Sequence, residues 1–296
     1  MNCSLVVNGK LISATPPDAL IPWWSFTKTV LAAAALSLVR DGLLSLDEAL
    51  AEGPFSLRQL LRHEAGLADY SELADYHAAV ARHEAPWATD ELLQRLDAGR
   101  LRYPPGSGWQ YSNVGYLWVT RVIERVSGLT LQQALNQRVL APLGVSNVRL
   151  ARTRADLAAV TMGNCSDYDP GWVYHGLLVG PLAQAALLLE RLLAGDLLPP
   201  ALLQAMQAPR LLGGPIAGRP WTAPGYGLGL MCGAVAGGLR LSGHTGSGPG
   251  SVLAVYRVVH GSRSASGAVW QAGGDQGAVE AEVVARLQAE LGLIPG

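Results

Sequence analysis

The stretch SFTKTVLAAAALSLVR, residues 25–40, decides the fold. It is apolar on nearly every side and ends at Asp41-Gly42, so the spacing predicts a helix over 25–40 that lies in the interior rather than on a surface. Its opening tetrad, Ser25-Phe26-Thr27-Lys28, sets a serine and a lysine on one helix face, one turn apart. The serine sits where helix N-terminal amides point, which favours a developing negative charge, and a buried lysine with a depressed pKa can take the seryl proton. An N-capping serine followed by a solvated lysine is the alternative reading of the tetrad. Of the 22 basic residues only Lys10 and Lys28 are lysines. Arginine cannot lose its proton under working conditions, so a lysine at 28 in so arginine-biased a chain points to chemistry that needs a removable proton.

Working outward, Asn8-Gly9-Lys10 lies between apolar runs at 4–7 and 11–14, a strong hairpin signal. Helical periodicity follows at 56–62, 89–96, 115–126 and 131–139, broken by Pro104-Pro105-Gly106 and Pro142-Leu143-Gly144, with little strand signal between. Further helices are expected at 182–193 and 199–206. The pattern then changes to short glycine-bounded runs at 228–235, 239–242, 252–258 and 268–271, which read as a strand meander, and an amphipathic helix at 280–291 closes the chain. Strands at both ends with helices between imply an α+β fold, an antiparallel sheet flanked by helices with an inserted all-helical region. We expect residues 1–50 and 170–296 to form the sheet domain and 51–169 the mainly helical region.

At 296 residues, 49% apolar and 15% charged, with net charge -1, the chain has ample volume for a core and no electrostatic footprint for nucleic acid or an anionic membrane. Cys3, Cys165 and Cys232 are far apart and odd in number, which fits free thiols in a reducing compartment. Residues 1–10 lack a basic segment followed by a long apolar one, and no apolar run reaches membrane-spanning length. A soluble, cytoplasmic protein is expected. No serine has glycine at both flanking second positions, so a G-x-S-x-G elbow is missing. His63-Glu64 and His83-Glu84 are not followed by a histidine at zinc-protease spacing, and neither lysine has the glycine context of a phosphate loop. No metal and no cofactor is implied.

Two further elements carry chemistry. Tyr111-Ser112-Asn113 opens the helix expected at 115–126 and offers a phenol near the nucleophile and an amide for a substrate carbonyl and the lysine amine; taken alone, it also reads as a packed tyrosine and an N-capping asparagine. Gly243-His244-Thr245-Gly246-Ser247 falls between two predicted strands, where small residues let a substrate lie along a strand edge, although a glycine-rich hairpin has the same pattern.

In this order the three elements resemble the S-x-x-K, Y-x-N and K-T-G set of the serine β-lactamases and penicillin-binding proteins, within which the chain is most similar to the class C-related esterases and D-aminopeptidases. The stretches Leu44-Ser45-Leu46-Asp47, Leu60-Leu61-Arg62-His63-Glu64-Ala65-Gly66-Leu67, Trp109-Gln110-Tyr111-Ser112-Asn113 and Tyr226-Gly227-Leu228-Gly229 extend the resemblance over nearly the whole chain. It implies a β-lactamase/transpeptidase-like fold with the active site between the sheet domain and the helical region. By the same resemblance, Ser25 forms an acyl-enzyme on a small ester or amide substrate, Lys28 and Tyr111 share the proton transfers, and Asn113, His244, Thr245, Gly246 and Ser247 bind substrate. The backbone amides of Ser25 and Ser247 form the oxyanion hole, and His63 is structural.

Two departures qualify the resemblance. His244 replaces the lysine of K-T-G, so a fixed positive charge for a substrate carboxylate becomes a group that ordinarily titrates near pH 6.5; β-lactam hydrolysis would then be weak. Only 24 residues precede Ser25, so the family's leading helix and an edge strand are expected to be trimmed, and a neighbouring copy in a homo-oligomer is one way to cover the exposed edge. The rival from another class is a catalytically silent family member that serves as a binding or scaffolding module.

Overall fold

The computed structural model describes residues 1–15, 18–165 and 167–293; positions 16, 17, 166 and 294–296, counted in the expected division of the chain, lie outside the described residues. The hairpin forms as expected: Asn8 and Gly9 both take positive φ, 47° and 78°, and join β1 (Asn2–Val7) to β2 (Lys10–Thr15). After β3 (Leu20–Pro22) a single 3-10 turn, Trp24–Phe26, leads into α1 (Thr27–Arg40), which is buried from Thr27 to Leu38. The helical region carries α2 (Leu57–Leu61), α3 (Ala74–Ala81), α4 (Thr89–Arg95), α5 (Asn113–Ser127) and α6 (Leu131–Leu135), the last continued by a π turn over Asn136–Leu140. Next come β4 (Arg149–Ala151), β5 (Leu177–Pro181), α7 (Leu182–Ala194) and α8 (Pro200–Gln207). Strands β6 (Arg210–Leu211), β7 (Trp221–Tyr226), β8 (Met231–Val235), β9 (Arg240–Gly248), β10 (Ser251–His260) and β11 (Arg263–Ala272) precede the closing helix α9 (Gln276–Glu290).

The large sheet is antiparallel in the order β2-β1-β11-β10-β9-β8-β7-β6, so the first strand of the chain pairs with the last. Side-chain alternation sorts its two faces. On β10, Val252, Ala254, Tyr256 and Val258 join Val279, Val283 and Leu287 of α9 in one apolar cluster, while Leu253 and Val255 join α1 and α7 in the larger one. Helix α1 thus lies between the sheet and α5, which explains why it has no polar face.

Several features depart from the expected pattern, among them the strands β6 and β7, which precede the meander expected from residue 228. A second sheet, β3-β5-β4, ties the segment before α1 to the segment before α7; β3 and β4 have three residues each, too short for period-2 alternation, and β5 is buried on both faces. Helix α3 lies outside the segments with expected helical periodicity. The strand expected at 239–242 runs on to Gly248, so the Gly243–Ser247 motif is strand, not turn. Among the described residues no helix is long and apolar enough to cross a membrane.

Candidate active site

The turn that carries Ser25 is pinned from both sides. The Trp23 amide donates to Leu178 O of β5 at 2.8 Å, and its indole to Gly180 O at 3.3 Å. Trp24 has φ +38°, a left-handed conformation that costs a bulky residue about 1–3 kcal/mol. Its surroundings hold it there: the indole donates to Ser251 Oγ at 3.0 Å and meets the Tyr168 ring edge-on at 5.5 Å. On the other side β9 packs against the turn at Gly246, where a Cβ would stand 2.7 Å from both Ser25 N and Trp24 Cβ. Gly246 is therefore a close-approach residue. The pairing of β8 with β9 stops at Met231 opposite Gly243, so from His244 to Gly248 that side of β9 has no strand partner among the described residues and, at Gly246, approaches the Ser25 turn.

Lys28 is the hub of the polar groups. A 3-10 turn running into an α-helix brings residues three apart into line, and Lys28 Nζ lies 3.2 Å from Ser25 Oγ, 2.7 Å from Asn113 Oδ1 and 3.1 Å from His175 Nε2. The side chain is 0% exposed. Burial lowers its pKa to about 7, with Asp69 opposing the shift, so much of it is a neutral amine at pH 7 and above. Gly229 lets its turn close on the backbone of α1: a Cβ there would collide with Ala32 Cβ and stand 3.1 Å from Lys28 O, and its φ is +75°.

Tyr111 Oη donates to Ser25 Oγ at 3.0 Å. Burial pushes its pKa above the ordinary tyrosine value, partly offset by the bond to Ser25, so it remains a phenol. The loop is held by His63, whose Nδ1 accepts the Ser112 amide at 3.1 Å and whose ring lies 4.3 Å from that of Tyr111 and 4.6 Å from that of Tyr226. Burial holds His63 well below the usual histidine range, as a neutral ring. Ser112, not Asn113, caps α5, accepting from Gly115 N at 3.0 Å. This leaves the Asn113 side chain free to join Lys28. Asp69 orients it, taking the Asn113 amide N at 2.9 Å and Nδ2 at 3.3 Å, which turns Oδ1 to the lysine.

The third motif corrects two expectations. His244 does not face the cleft: it is 0% exposed, its Nδ1–H donates to Thr245 O at 2.7 Å and its Nε2 accepts from Tyr226 Oη at 2.8 Å. Burial, with Lys28 second, lowers its pKa to about 3, so it carries no charge near neutrality. Thr245, one residue along the strand, points to the opposite face, where its hydroxyl meets Tyr256 Oη at 2.7 Å and the Glu280 carboxylate beneath α9. Neither side chain is placed to bind substrate. Gly246 brings the backbone to Ser25, and Ser247 is exposed on the cleft rim.

The cleft over Ser25 has about 300 Å³, lined by Trp24, Tyr70, Tyr76, Tyr168, Val80 and Val173 with Asn113, His175 and Ser247. Ser71 and His77 also line it, and among the described lining residues none is Asp, Glu, Lys or Arg. Sequence reasoning missed three contributors: Asp69, His175 and Tyr226 in its bond to His244. His175 and Asp69 stand outside any spaced motif and reach Lys28 only through the fold, so no local signal marks them. Among the described residues no cluster of three or more His, Cys, Asp or Glu is placed to hold a metal.

The family model described as Beta-lactamase matches residues 4–290. The lovastatin esterase of Penicillium rubens (strain ATCC 28089 / DSM 1075 / NRRL 1951 / Wisconsin 54-1255) is 30% identical over 191 residues, covering 53% of this chain and 46% of the relative. The D-aminopeptidase of Brucella anthropi is 28% identical over 247 residues, covering 78% of this chain and 45% of the relative. The chain thus spans less than half the length of either. The crystal structure of D-amino acid amidase from Ochrobactrum anthropi SV3 superposes with a TM-score of 0.76 at 22% identity, over 99% of this chain and 95% of that one. That likeness shows the β-lactamase/transpeptidase-like fold.

Proposed function

The chain belongs to the beta-lactamase family, and we propose that it is a serine hydrolase that forms an acyl-enzyme at Ser25 on small, uncharged esters or amides. One observation carries the reading: Ser25 Oγ is met at once by an amine whose pKa is about 7 and by a buried phenol. A base poised near neutrality, within hydrogen-bond reach of the nucleophile, is what general-base activation of a serine needs. Such an S-x-x-K and Y-x-N pairing supports the class C-related branch. The free thiols Cys3, Cys165 and Cys232 support a reducing, cytoplasmic compartment.

In acylation Ser25 Oγ attacks the carbonyl carbon as its proton passes to Lys28 Nζ. The oxyanion is received by the Ser25 and Ser247 backbone N–H groups, a role supported by the close approach of β9 at Gly246. Tyr111 then protonates the departing alcohol or amine and regains a proton from Lys28, so the net transfer is from serine to leaving group. Deacylation repeats the sequence with water as nucleophile and Ser25 as leaving group.

The cleft narrows the substrate class. A free α-ammonium, as on an aminoacyl amide, or a carboxylate, as on a β-lactam, would enter without a partner, because the lining residues carry no fixed charge and Asp69 already binds Asn113. An apolar or aromatic acyl group fits the tryptophan and tyrosines. The test is a panel of p-nitrophenyl esters, D- and L-aminoacyl p-nitroanilides and nitrocefin, with fluorophosphonate labelling of wild type and Ser25→Ala. We expect neutral aryl and alkyl esters to turn over fastest and the label to vanish in Ser25→Ala. Labelling of that variant at the wild-type rate would move the nucleophile elsewhere, and nitrocefin as the best substrate would overturn the substrate class.

A further inference from the structure

Lys28 Nζ has three polar neighbours: Ser25 takes part in the steps above, and Asn113 is oriented by Asp69. The third is His175 Nε2 at 3.1 Å. A neutral amine has two N–H bonds and one lone pair. For Lys28 to take the Ser25 proton, the lone pair must point at Oγ, so both N–H bonds must find acceptors elsewhere. Asn113 Oδ1 at 2.7 Å takes one, and among the described residues His175 Nε2 is the one placed for the other.

Resting on the hydrolase reading, we infer that His175 is a positioning residue: its unprotonated Nε2 accepts an N–H of Lys28 and thereby aims the amine lone pair at Ser25. The ring must then carry its hydrogen on Nδ1. That atom is buried without a hydrogen-bond partner, a desolvated N–H that is tolerated because the opposite tautomer is worse. An Nε2–H would donate into the lysine lone pair in competition with the Ser25 hydroxyl, and would confront an N–H once Lys28 is protonated. Once the seryl proton has moved, the ammonium has three donors and finds three acceptors: Ser25 Oγ, Asn113 Oδ1 and His175 Nε2.

The backbone that carries the ring is tied to α5, where Thr120 Oγ1 lies 3.1 Å from His175 O, and the Tyr116 ring stands edge-on to the imidazole at 6.4 Å. Burial holds the imidazole well below the usual histidine range, with Lys28, His244 and His63 adding to the shift, so it stays neutral as Lys28 titrates. The groups around Lys28 are the rings of Tyr111 and Tyr116, at 5.1 and 5.6 Å from Nζ, and the charge of Asp69 behind Asn113.

The test compares His175→Phe, which keeps a ring and removes the acceptor, with His175→Gln, which returns a carbonyl oxygen near the position of Nε2. With p-nitrophenyl butyrate we expect His175→Phe to lower kcat about tenfold with KM within about twofold. The acid limb of kcat/KM should move down by roughly half to one pH unit, because the ammonium has lost an acceptor. His175→Gln should recover much of both. Independently, ¹⁵N NMR of the wild-type protein should show the His175 Nδ1–H tautomer with Nε2 unprotonated, unchanged as Lys28 titrates. An Nε2–H tautomer, or a lowered plateau with an unmoved acid limb that Gln does not restore, overturns the inference. Failure of the hydrolase reading looks different: wild type would then resist the fluorophosphonate, while the tautomer still decides the role of His175.

Discussion

Replacing Lys28 by Met keeps the length of a fully buried side chain and removes its titration. Above pH 10.5 the lysine amine is neutral in both the folded and the unfolded chain, so burial carries no protonation penalty. As pH falls below that value the unfolded chain binds a proton that the folded protein, with its pKa of about 7, refuses. Wild-type stability therefore declines between pH 10.5 and about 7 and levels off below, where both states are protonated. At about 1.36 kcal/mol per unit the whole span amounts to about 5 kcal/mol, and the interval from about pH 7.5 to 9.5 to about half of that. Lys28→Met also leaves Asn113 Oδ1 and His175 Nε2 without a donor. That loss is constant over the interval, because the His175 ring is already neutral there. Urea unfolding at several pH values should thus show wild type gaining about 2–3 kcal/mol on the Met variant from about pH 7.5 to 9.5, with shared titrations cancelling in the difference. Parallel curves would place the lysine pKa in its ordinary range, and a protonated lysine cannot be the base at neutrality.

Lys28→Arg should be nearly as inactive as Lys28→Ala, with kcat down by about 10²–10⁴-fold on a neutral ester, since a guanidinium keeps the charge but cannot accept the seryl proton; retention of most of the acylation rate in stopped-flow burst kinetics would reassign Lys28 to an electrostatic role. Because His244 is buried and neutral down to about pH 3, the ratio of kcat/KM for a carboxylated ester to that for its neutral analogue should stay flat from about pH 5 to 8. A ratio that climbs as pH falls through about 6.5 would mean that the imidazole opens to the cleft.

What the sequence made legible follows from how local each signal is. The α1 segment announced its own burial because a helix with apolar residues on every side has nowhere else to go, and Ser25 and Lys28 meet because three-residue spacing is a property of one turn. Tyr111 and Asn113 were readable through their place at the start of α5. The second sheet was not, because β3 and β4 have three residues each and are specified by their pairing with β5 rather than by their own pattern. His175 lies in a turn just before β5, on a separate segment from Lys28 and Asn113. Its role depends on three segments converging on one nitrogen, which no one-dimensional spacing encodes.

The Gly243–Ser247 motif shows why a chemically suggestive residue can be read on the wrong side of its strand. Alternation puts His244 opposite Val255, on the α1 face, and Thr245 opposite Ala254, beneath α9. With both side chains turned into the protein, what the strand offers the cleft is backbone: the edge beyond β8, kept close to Ser25 by glycine at 246. His244 secures that edge from within, because its bond to Tyr226 Oη ties β9 to β7 on the side where Tyr226 also packs on His63 and Tyr111. A lysine there would have to bury an ammonium a short way from Lys28, which would press the pKa of the base still lower, whereas a neutral imidazole leaves Lys28 poised near neutrality. The imidazole at 244 and the cleft thus belong together: with a neutral side chain in place of a fixed cation at 244, and no Asp, Glu, Lys or Arg among the described residues that line the cleft, the geometry favours the neutral substrates proposed above.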